Sequence, residues 1–484
     1  MPDGLRNEAR PTALRQPRRS HRRLLAAGLA AALAAAAACR VHDHAPAAPH
    51  PLVVIGVDGL EWRLVLDMMK VGRLPEIRRL IDDGTFARLS TLEPALSPPI
   101  WTSIATGMLP AHHGILGFVR PDLQGRNGQP VLFTSGERRV KAIWDIAGDA
   151  GLSSCVIGYW MTFPVEQMRG VMVAQTGAPP GSELQRTRKG GLEPGRSGQV
   201  QPPELEERVF ALARDSAAEV DATERDLYGD TSTWPPSMKS VAGHSRWSLA
   251  ADTAYERIAL DLVREAGRCD LLIVYLGLTD VLGHRFWRWT YPGDFASPPA
   301  LQEIERFGEV LGRAYARVDS FVGQMRRAAG AGATVVVASD HGMGPWRANA
   351  SVDLAREDAP LVRTGGHSGA RDAFLVAAGP GIARGASDAR AATLPDSVAA
   401  VPRRGSILDV TPSLLALLGV ARGADMDGHV LPGLLDVAFV RAHPLSEIAS
   451  HTPQGWAASR RIAPADDAGG EDRIEQLRGL GYLE

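Results

Sequence analysis

Three apolar runs of this chain end in, or lead directly into, an aspartate: LVVIGV into Asp58, LLIVYLGLT into Asp280, and TVVVAS into Asp340. Three carboxylates delivered to one place repel one another and shift each other's protonation unless a cation sits among them. Histidines accompany them. His284 follows Asp280 as D-x-x-x-H, His341 follows Asp340 in SDHGM, and His367 lies in GGHSGARDAFLVAAGPGI. Carboxylate oxygen with imidazole nitrogen is a ligand set for zinc and similar divalent ions. Singly, such an aspartate is an ordinary turn or cap residue and such a histidine a structural one. The recurrence of the pattern argues for metal.

Metal chemistry of this kind needs a nucleophile, and SPPIWTSIATG offers Ser97, Thr102 and Ser103. A serine hydroxyl is inert near neutral pH until a base or a metal lowers its pKa. No G-x-S-x-G elbow supports a conventional triad. A helix beginning at Pro98 or Pro99 puts Ser97 at its N-cap, where backbone amides and the helix dipole favour an anion. The plainer role for Ser97 is capping alone.

The elements that must position these residues are legible as alternating strands and helices. LVVIGV, LLIVYLGLT and ATVVVAS are short continuous apolar runs, the pattern of strands buried on both faces of a parallel sheet. ARLSTL and LSSCVIGYW read as further strands. Helical patterns cover the stretch from Asp58-Gly59 to Met69, LPEIRRLIDDG, VKAIWDIAGDAG, and Ile304 to Val322. The alternation predicts an α/β fold with a doubly wound, mostly parallel central sheet flanked by helices. Residues 177–246 read as an inserted cap region and 285–300 as an aromatic, turn-rich lip, with surface elaboration the alternative.

Composition excludes little. The formal net charge of −2 gives no sign of nucleic-acid or membrane-surface binding. Only four of 53 basic residues are lysine, and the 3 cysteines are too few for a disulfide scaffold. Cys155 in an apolar strand reads as buried and inert, with pairing to Cys269 after export the alternative. The N-terminus has a basic, then apolar, then small-residue layout, which marks residues 1–39 as a signal for export. AAAAC resembles a lipoprotein box with Cys39 as the lipidated residue; simple cleavage and an uncleaved signal anchor are the alternatives. SHRRLL resembles a twin-arginine signal. Residues 40–50 read as a linker, 51–440 as the catalytic domain, and 441–484 as a C-terminal extension ending in an amphipathic helix.

In order, VIGVDGL, SPPIWTSIATG, HHGIL, LTDVLGH, SDHGM and GGHSG resemble the alkaline phosphatase superfamily in its type I phosphodiesterase/nucleotide pyrophosphatase branch. The resemblance extends from about residue 52 to 430 and takes in ILDVTPSLLALLGV and MDGHVL. It implies an alkaline phosphatase-like fold and two divalent metal ions, zinc first, with manganese or calcium as alternatives. Asp280, His284 and His367 would hold one ion. Asp58, Asp340 and His341 would hold the other, with Ser97 bridging to it as nucleophile, because Ser97 stands nine residues before Thr106 of the TG pair. The implied activity is hydrolysis of phosphate mono- or diesters through a phosphoserine intermediate. The alternatives are a phosphoryl transferase or mutase on the same scaffold and a non-catalytic envelope binding protein.

Two departures narrow this. Phe118 stands where nucleotide pyrophosphatases have the asparagine of HGI-x-x-N, which weakens a nucleotide reading. Trp101 stands where the sulfatase pattern C/S-x-P-x-R has arginine. The expected partner is a small phosphate ester and not a nucleic acid, with the membrane reached only through an N-terminal lipid or signal anchor. The expected location is the periplasm or cell envelope.

Overall fold

The computed structural model describes residues 48–121, 130–175, 196–265, 267–347, 362–368, 372–385 and 401–462, with Leu192 and Leu354. The expected export signal with Cys39, most of the expected linker, the first part of the 177–246 segment and the C-terminal helix expected in EDRIEQLRGLGYLE lie outside the described residues.

The apolar runs become strands. β1 is Leu52–Val57, β2 Thr85–Ser90, β3 Ser154–Ile157, β4 Gly170–Val173, β5 Val200–Gln201, β6 Leu271–Leu276, β7 Thr334–Ser339, β8 Ala373–Ala378 and β9 Arg403–Ser406. Among the described residues these form one sheet in the order β9-β2-β8-β7-β1-β6-β3-β4-β5. The neighbours β7, β1, β6, β3 and β4 run parallel. β8 lies antiparallel between β7 and β2, β9 is parallel to β2, and β5 is antiparallel to β4. The sheet is therefore mostly parallel, as the alternation of strands and helices predicts.

Helices cover both faces because the central strands are apolar on both. Val53, Ile55 and Val57 of β1 point into a core shared with α1 (Trp62–Lys70), α2 (Pro75–Asp83), α4 (Pro236–Val263), α5 (Leu278–Thr290) and α6 (Glu309–Ala329). Leu52 and Val54 point the other way, toward α3 (Ser97–Thr106) and α7 (Val410–Leu417). This is the doubly wound arrangement.

The structure corrects two details. The expected lip at 285–300 is helix through Thr290, and Arg285 to Trp289 are all buried. A helix whose large apolar side chains point all round belongs inside. The helical pattern from Ile304 also breaks at Gly308, between Leu301–Phe307 and α6. A Cβ there would sit 3.0 Å from the Trp289 carbonyl oxygen, so the glycine lets α5 approach. In the 177–246 segment, helices Glu206–Asp215 and Ala217–Tyr228 pack through Val209, Phe210, Val220 and Leu227 into the core of α4. Position 246 falls inside α4, which runs unbroken from that segment onto the sheet. Cys155 of β3 and Cys269, just before β6, form a disulfide with Cα atoms 5.6 Å apart.

Candidate metal centre

Strand register brings the acidic residues together. Val57 of β1 is level with Leu276 of β6 on one side and Ser339 of β7 on the other. Asp58 and Asp340 are the next residues of adjacent parallel strands, and Asp280 lies one turn beyond β6 at the start of α5. Ligand sites of open parallel sheets lie outside the strands' carboxyl ends, and this is such a place. Gly59 lets the elements close up: with φ +63°, a Cβ there would lie 2.9 Å from the Asp280 Cα.

The six expected ligands converge. His341 Nε2 lies 3.3 Å from Asp58 Oδ1 and 3.2 Å from Asp340 Oδ2. His284 Nε2 lies 3.4 Å from Asp280 Oδ1. The His367 ring is 5.1 Å from that of His284 and 4.4 Å from that of His341. Ligand atoms of Asp280, His284 and His367 lie within 4.8 Å of one another, as do those of Asp58, Asp280 and His341. Asp280 thus stands between two clusters, whereas the resemblance gives it to one. The most exposed of the six, His367, is 7% accessible.

Outer partners hold several of these side chains by the atom that faces away. Asp58 Oδ2 accepts from Tyr275 Oη at 2.7 Å, Trp101 Nε1 at 3.0 Å and Trp160 Nε1 at 3.4 Å. Asp340 Oδ1 accepts from the Gly59 N–H at 3.1 Å. His284 Nδ1 lies 2.9 Å from the Gly365 carbonyl, which can only accept, so Nδ1 carries the proton and Nε2 offers a lone pair. The opposite atoms Asp58 Oδ1, Asp340 Oδ2 and His341 Nε2 are buried without a hydrogen-bond partner. Buried polar atoms of native proteins are rarely left so. A divalent cation bound among them would satisfy all three, and the donor set fits one.

Electrostatics point the same way. Burial and the Asp280 charge raise the Asp58 pKa, and burial with Asp58 raises Asp340 well above the carboxylate range. Burial also pushes Asp280 up, but His284, His367 and His341 outweigh it and hold Asp280 low. Burial disfavours charge on His341, yet Asp340, Asp58 and Asp280 raise its pKa to about 9. Burial, His341 and His284 lower His367 to about 2. Without a cation the carboxylates compete for protons.

Ser97 is buried at the first turn of α3. Leu96, not Ser97, is the N-cap, which corrects the expected capping role. The amide argument weakens too, because Pro98 and Pro99 have no N–H to offer an anion. Trp101, one turn on from Ser97 along α3, reaches Asp58 with its indole. Thr102 donates to the Pro98 carbonyl at 2.7 Å. Ser103 Oγ lies 3.0 Å from His113 Nε2, while His113 Nδ1 accepts from the Ile115 N–H. His113 Nε2 therefore carries the proton and cannot act as a base on Ser103. Burial lowers its pKa to about 3.

Several site-building residues escape sequence reasoning. Tyr275 reads only as one more strand residue, and Trp101 only as a missing arginine. Glu61 Oε2 accepts from the Met343 N–H at 2.8 Å and holds the turn after His341. Asp252 accepts from Gly277 and Leu278 N–H groups at 2.9 Å each, anchoring the turn that presents Asp280. Its only sequence signal is a carboxylate in an apolar helix stretch. Phe118 packs edge-on against Trp160 at 5.8 Å, so the asparagine position carries an apolar wall.

The sequence profile described as type I phosphodiesterase/nucleotide pyrophosphatase matches residues 52–404, more than half of the chain. Among solved structures, a phosphonoacetate hydrolase from Sinorhizobium meliloti 1021, in complex with phosphonoacetate, shares 19% identity with a TM-score of 0.36. The match covers 62% of this chain and 58% of that one, so the chain spans less than two thirds of that hydrolase. Murine ectonucleotide pyrophosphatase/phosphodiesterase 5, an inactive form in complex with AMP, shares 12% identity over 81% of this chain and 99% of that one, TM-score 0.43. A 2-O GAG sulfatase shares 13% over 83% and 76%, TM-score 0.41. No curated protein matches the chain.

Proposed function

The chain belongs to the type I phosphodiesterase/nucleotide pyrophosphatase family, and from that premise we propose that it is a metal-dependent phosphohydrolase of small phosphate mono- or diesters. The observation that carries this is the convergence of three carboxylates and three imidazoles from four separate stretches of chain, with Asp58 Oδ1, Asp340 Oδ2 and His341 Nε2 buried and unsatisfied. In the proposal Asp280, His284 and His367 hold one divalent ion, zinc first, and Asp58, Asp340 and His341 the second. When bound, the ions neutralise charge on the transferring phosphoryl group and lower the pKa of a neighbouring hydroxyl.

The chain's own part is nucleophilic. Ser97 Oγ, losing its proton to solvent, attacks phosphorus; the bond from phosphorus to the ester oxygen breaks, and the alcohol leaves with a proton. Water then cleaves the Ser97–phosphoryl bond, which restores the hydroxyl and releases phosphate or a monoester. Trp160 and Phe118, packed edge-on, put apolar surface beside Asp58. Trp101, committed to Asp58, takes the place of the arginine a sulfatase would need. The N-terminal signal and the Cys155–Cys269 disulfide support export to the periplasm or cell envelope, with Cys39 the candidate lipid anchor.

The test is Ser97→Ala. Turnover of aryl phosphate esters should fall to background while metal content and the unfolding transition stay as in wild type. Near-normal turnover in that variant would remove Ser97 from the mechanism.

A further inference from the structure

His284 rides on α5, and His367 follows the short stretch Gly365–Gly366 that pairs antiparallel with Gly344–Pro345. Two rings carried by separate stretches keep a set spacing only where one stretch is fixed on the other. Thr364, buried at 1% exposure, makes that attachment. Its N–H donates to the His284 carbonyl at 2.7 Å. Its Oγ1 donates to the Arg285 carbonyl at 2.8 Å and accepts from the Arg288 N–H at 3.2 Å. In an α-helix the carbonyl of His284 is the acceptor for the N–H of Arg288, so Thr364 engages both ends of one rung of α5. The next residue closes the gap. The Gly365 carbonyl accepts from His284 Nδ1 at 2.9 Å, and a Cβ at Gly365 would lie 2.1 Å from the Gly283 carbonyl oxygen. Glycine there lets the two backbones touch.

Ligand constellations work only when their groups are held within ~0.5 Å by neighbours whose own positions are locked. Threonine is stiff at χ1, and a hydroxyl bonded on both sides fixes it in one rotamer. We propose that Thr364 is the positioning residue for the ion of Asp280, His284 and His367. It clips the His367 stretch onto α5 and so sets the spacing of the two imidazoles, whose ring centroids lie 5.1 Å apart. This rests on the metal-centre reading above and adds a residue outside the ligand set that governs one of its two ions. Thr364 acts through the two histidines and is not itself a ligand. Its carbonyl also accepts from the Trp346 N–H at 2.8 Å, a backbone bond that side-chain substitution leaves in place. The stretch after His341 therefore keeps its attachment when the hydroxyl is removed.

The experiment measures ion binding in wild type, Thr364→Val and Thr364→Ser. Valine keeps the shape and the backbone bonds and removes the hydroxyl; serine keeps the hydroxyl. Zinc affinities come from competition with a chromophoric chelator, and the geometry of the site from the visible spectrum of the cobalt(II)-loaded protein. Thr364→Val should weaken one of the two zinc affinities by about tenfold, the scale seen for partners outside a ligand set, and alter the cobalt spectrum. The weakened ion should be the one that His367→Ala loses, with the other within about twofold of wild type. Thr364→Ser, which keeps both hydroxyl bonds, should restore affinity and spectrum. If the valine variant does not fold, Thr364→Ala carries the same expectation, since it leaves room for water on the Arg285 carbonyl and the Arg288 N–H. A hydroxyl that serves stability alone would lower the melting temperature and leave affinities and spectrum as in wild type, which overturns the clip. Equal losses at both ions overturn it too. Wild type that binds neither zinc nor cobalt fells the metal-centre reading itself, whereas two ions bound with Thr364→Val unchanged fells only the clip.

Discussion

Removal of the Tyr275 hydroxyl isolates one hydrogen bond at the metal centre. Tyr275 lies in β6 and donates to Asp58 Oδ2 at 2.7 Å. Its ring packs edge-on against Trp101 at 5.2 Å and Trp160 at 6.2 Å, contacts that phenylalanine keeps. Burial and the Asp58 charge hold the Tyr275 pKa well above 10, so the hydroxyl is a neutral donor at every workable pH. A hydrogen bond to a charged group contributes ~1.5–3 kcal/mol. At about 1.4 kcal/mol per tenfold, Tyr275→Phe should weaken divalent-ion binding by about 10- to 100-fold, the range seen when outer partners of metal ligands are removed. Two indole donors to Asp58 remain, so binding weakens without vanishing. Competition against a chromophoric chelator at fixed pH gives the affinity. Tyr255→Phe is the control, since that hydroxyl donates to the Ala174 carbonyl at 3.5 Å and not to a metal-centre carboxylate. Unchanged affinity in Tyr275→Phe, or an equal loss in both variants, refutes the reasoning.

Three further outcomes follow from the same structure. The Cys155–Cys269 disulfide closes a sequence separation of 114 residues. Its removal in a Cys155→Ser, Cys269→Ser double variant should lower unfolding stability by up to about 5 kcal/mol on chain-entropy grounds; a urea midpoint identical to that of the oxidised wild type contradicts this. Glu166 is buried between Arg138 and Arg460 and accepts from Trp144 Nε1. Glu166→Ala takes the paired carboxylate from buried Arg460 and leaves Arg138 with Asp145 alone, and should cost ~3–5 kcal/mol, visible as a lower melting temperature with metal affinity unchanged. In the metal-free protein His341 has a pKa of about 9, burial being outweighed by Asp340, Asp58 and Asp280. A bound cation must displace that proton, so apparent affinity should climb about tenfold per pH unit toward pH 9 and level off above it. A flat profile between pH 6 and 9 excludes His341 as a ligand.

Much of the candidate site was legible because five of its six candidate ligands sit at boundaries that sequence marks well: an apolar run stopping at Asp58, another at Asp340 with His341 behind it, and a D-x-x-x-H step after the third. Parallel register then did the rest, since Val57, Leu276 and Ser339 are level. The outer partners were not legible. Tyr275 and Trp101 are apolar in pattern and become polar partners only once β1, β6 and α3 are packed together. Asp252 acts across 25 residues and Glu61 across 282, distances over which no local pattern speaks. The direction of β8 was equally hidden, because an apolar run looks the same read either way. At 285–290 the turn-rich stretch that follows suggested an exposed lip, whereas Phe286, Trp287 and Trp289 pack into the core and bury the segment.

Elemental analysis of the purified protein after equilibrium dialysis against zinc, set beside Asp280→Asn and Ser97→Ala, bears most directly on the convergence of acid and imidazole groups into a metal centre. The expected result is two ions per wild-type chain, two in Ser97→Ala, and a loss in Asp280→Asn, the residue shared by both clusters. Wild-type protein that takes up no zinc, manganese or calcium, or Asp280→Asn protein that binds as wild type does, would contradict it.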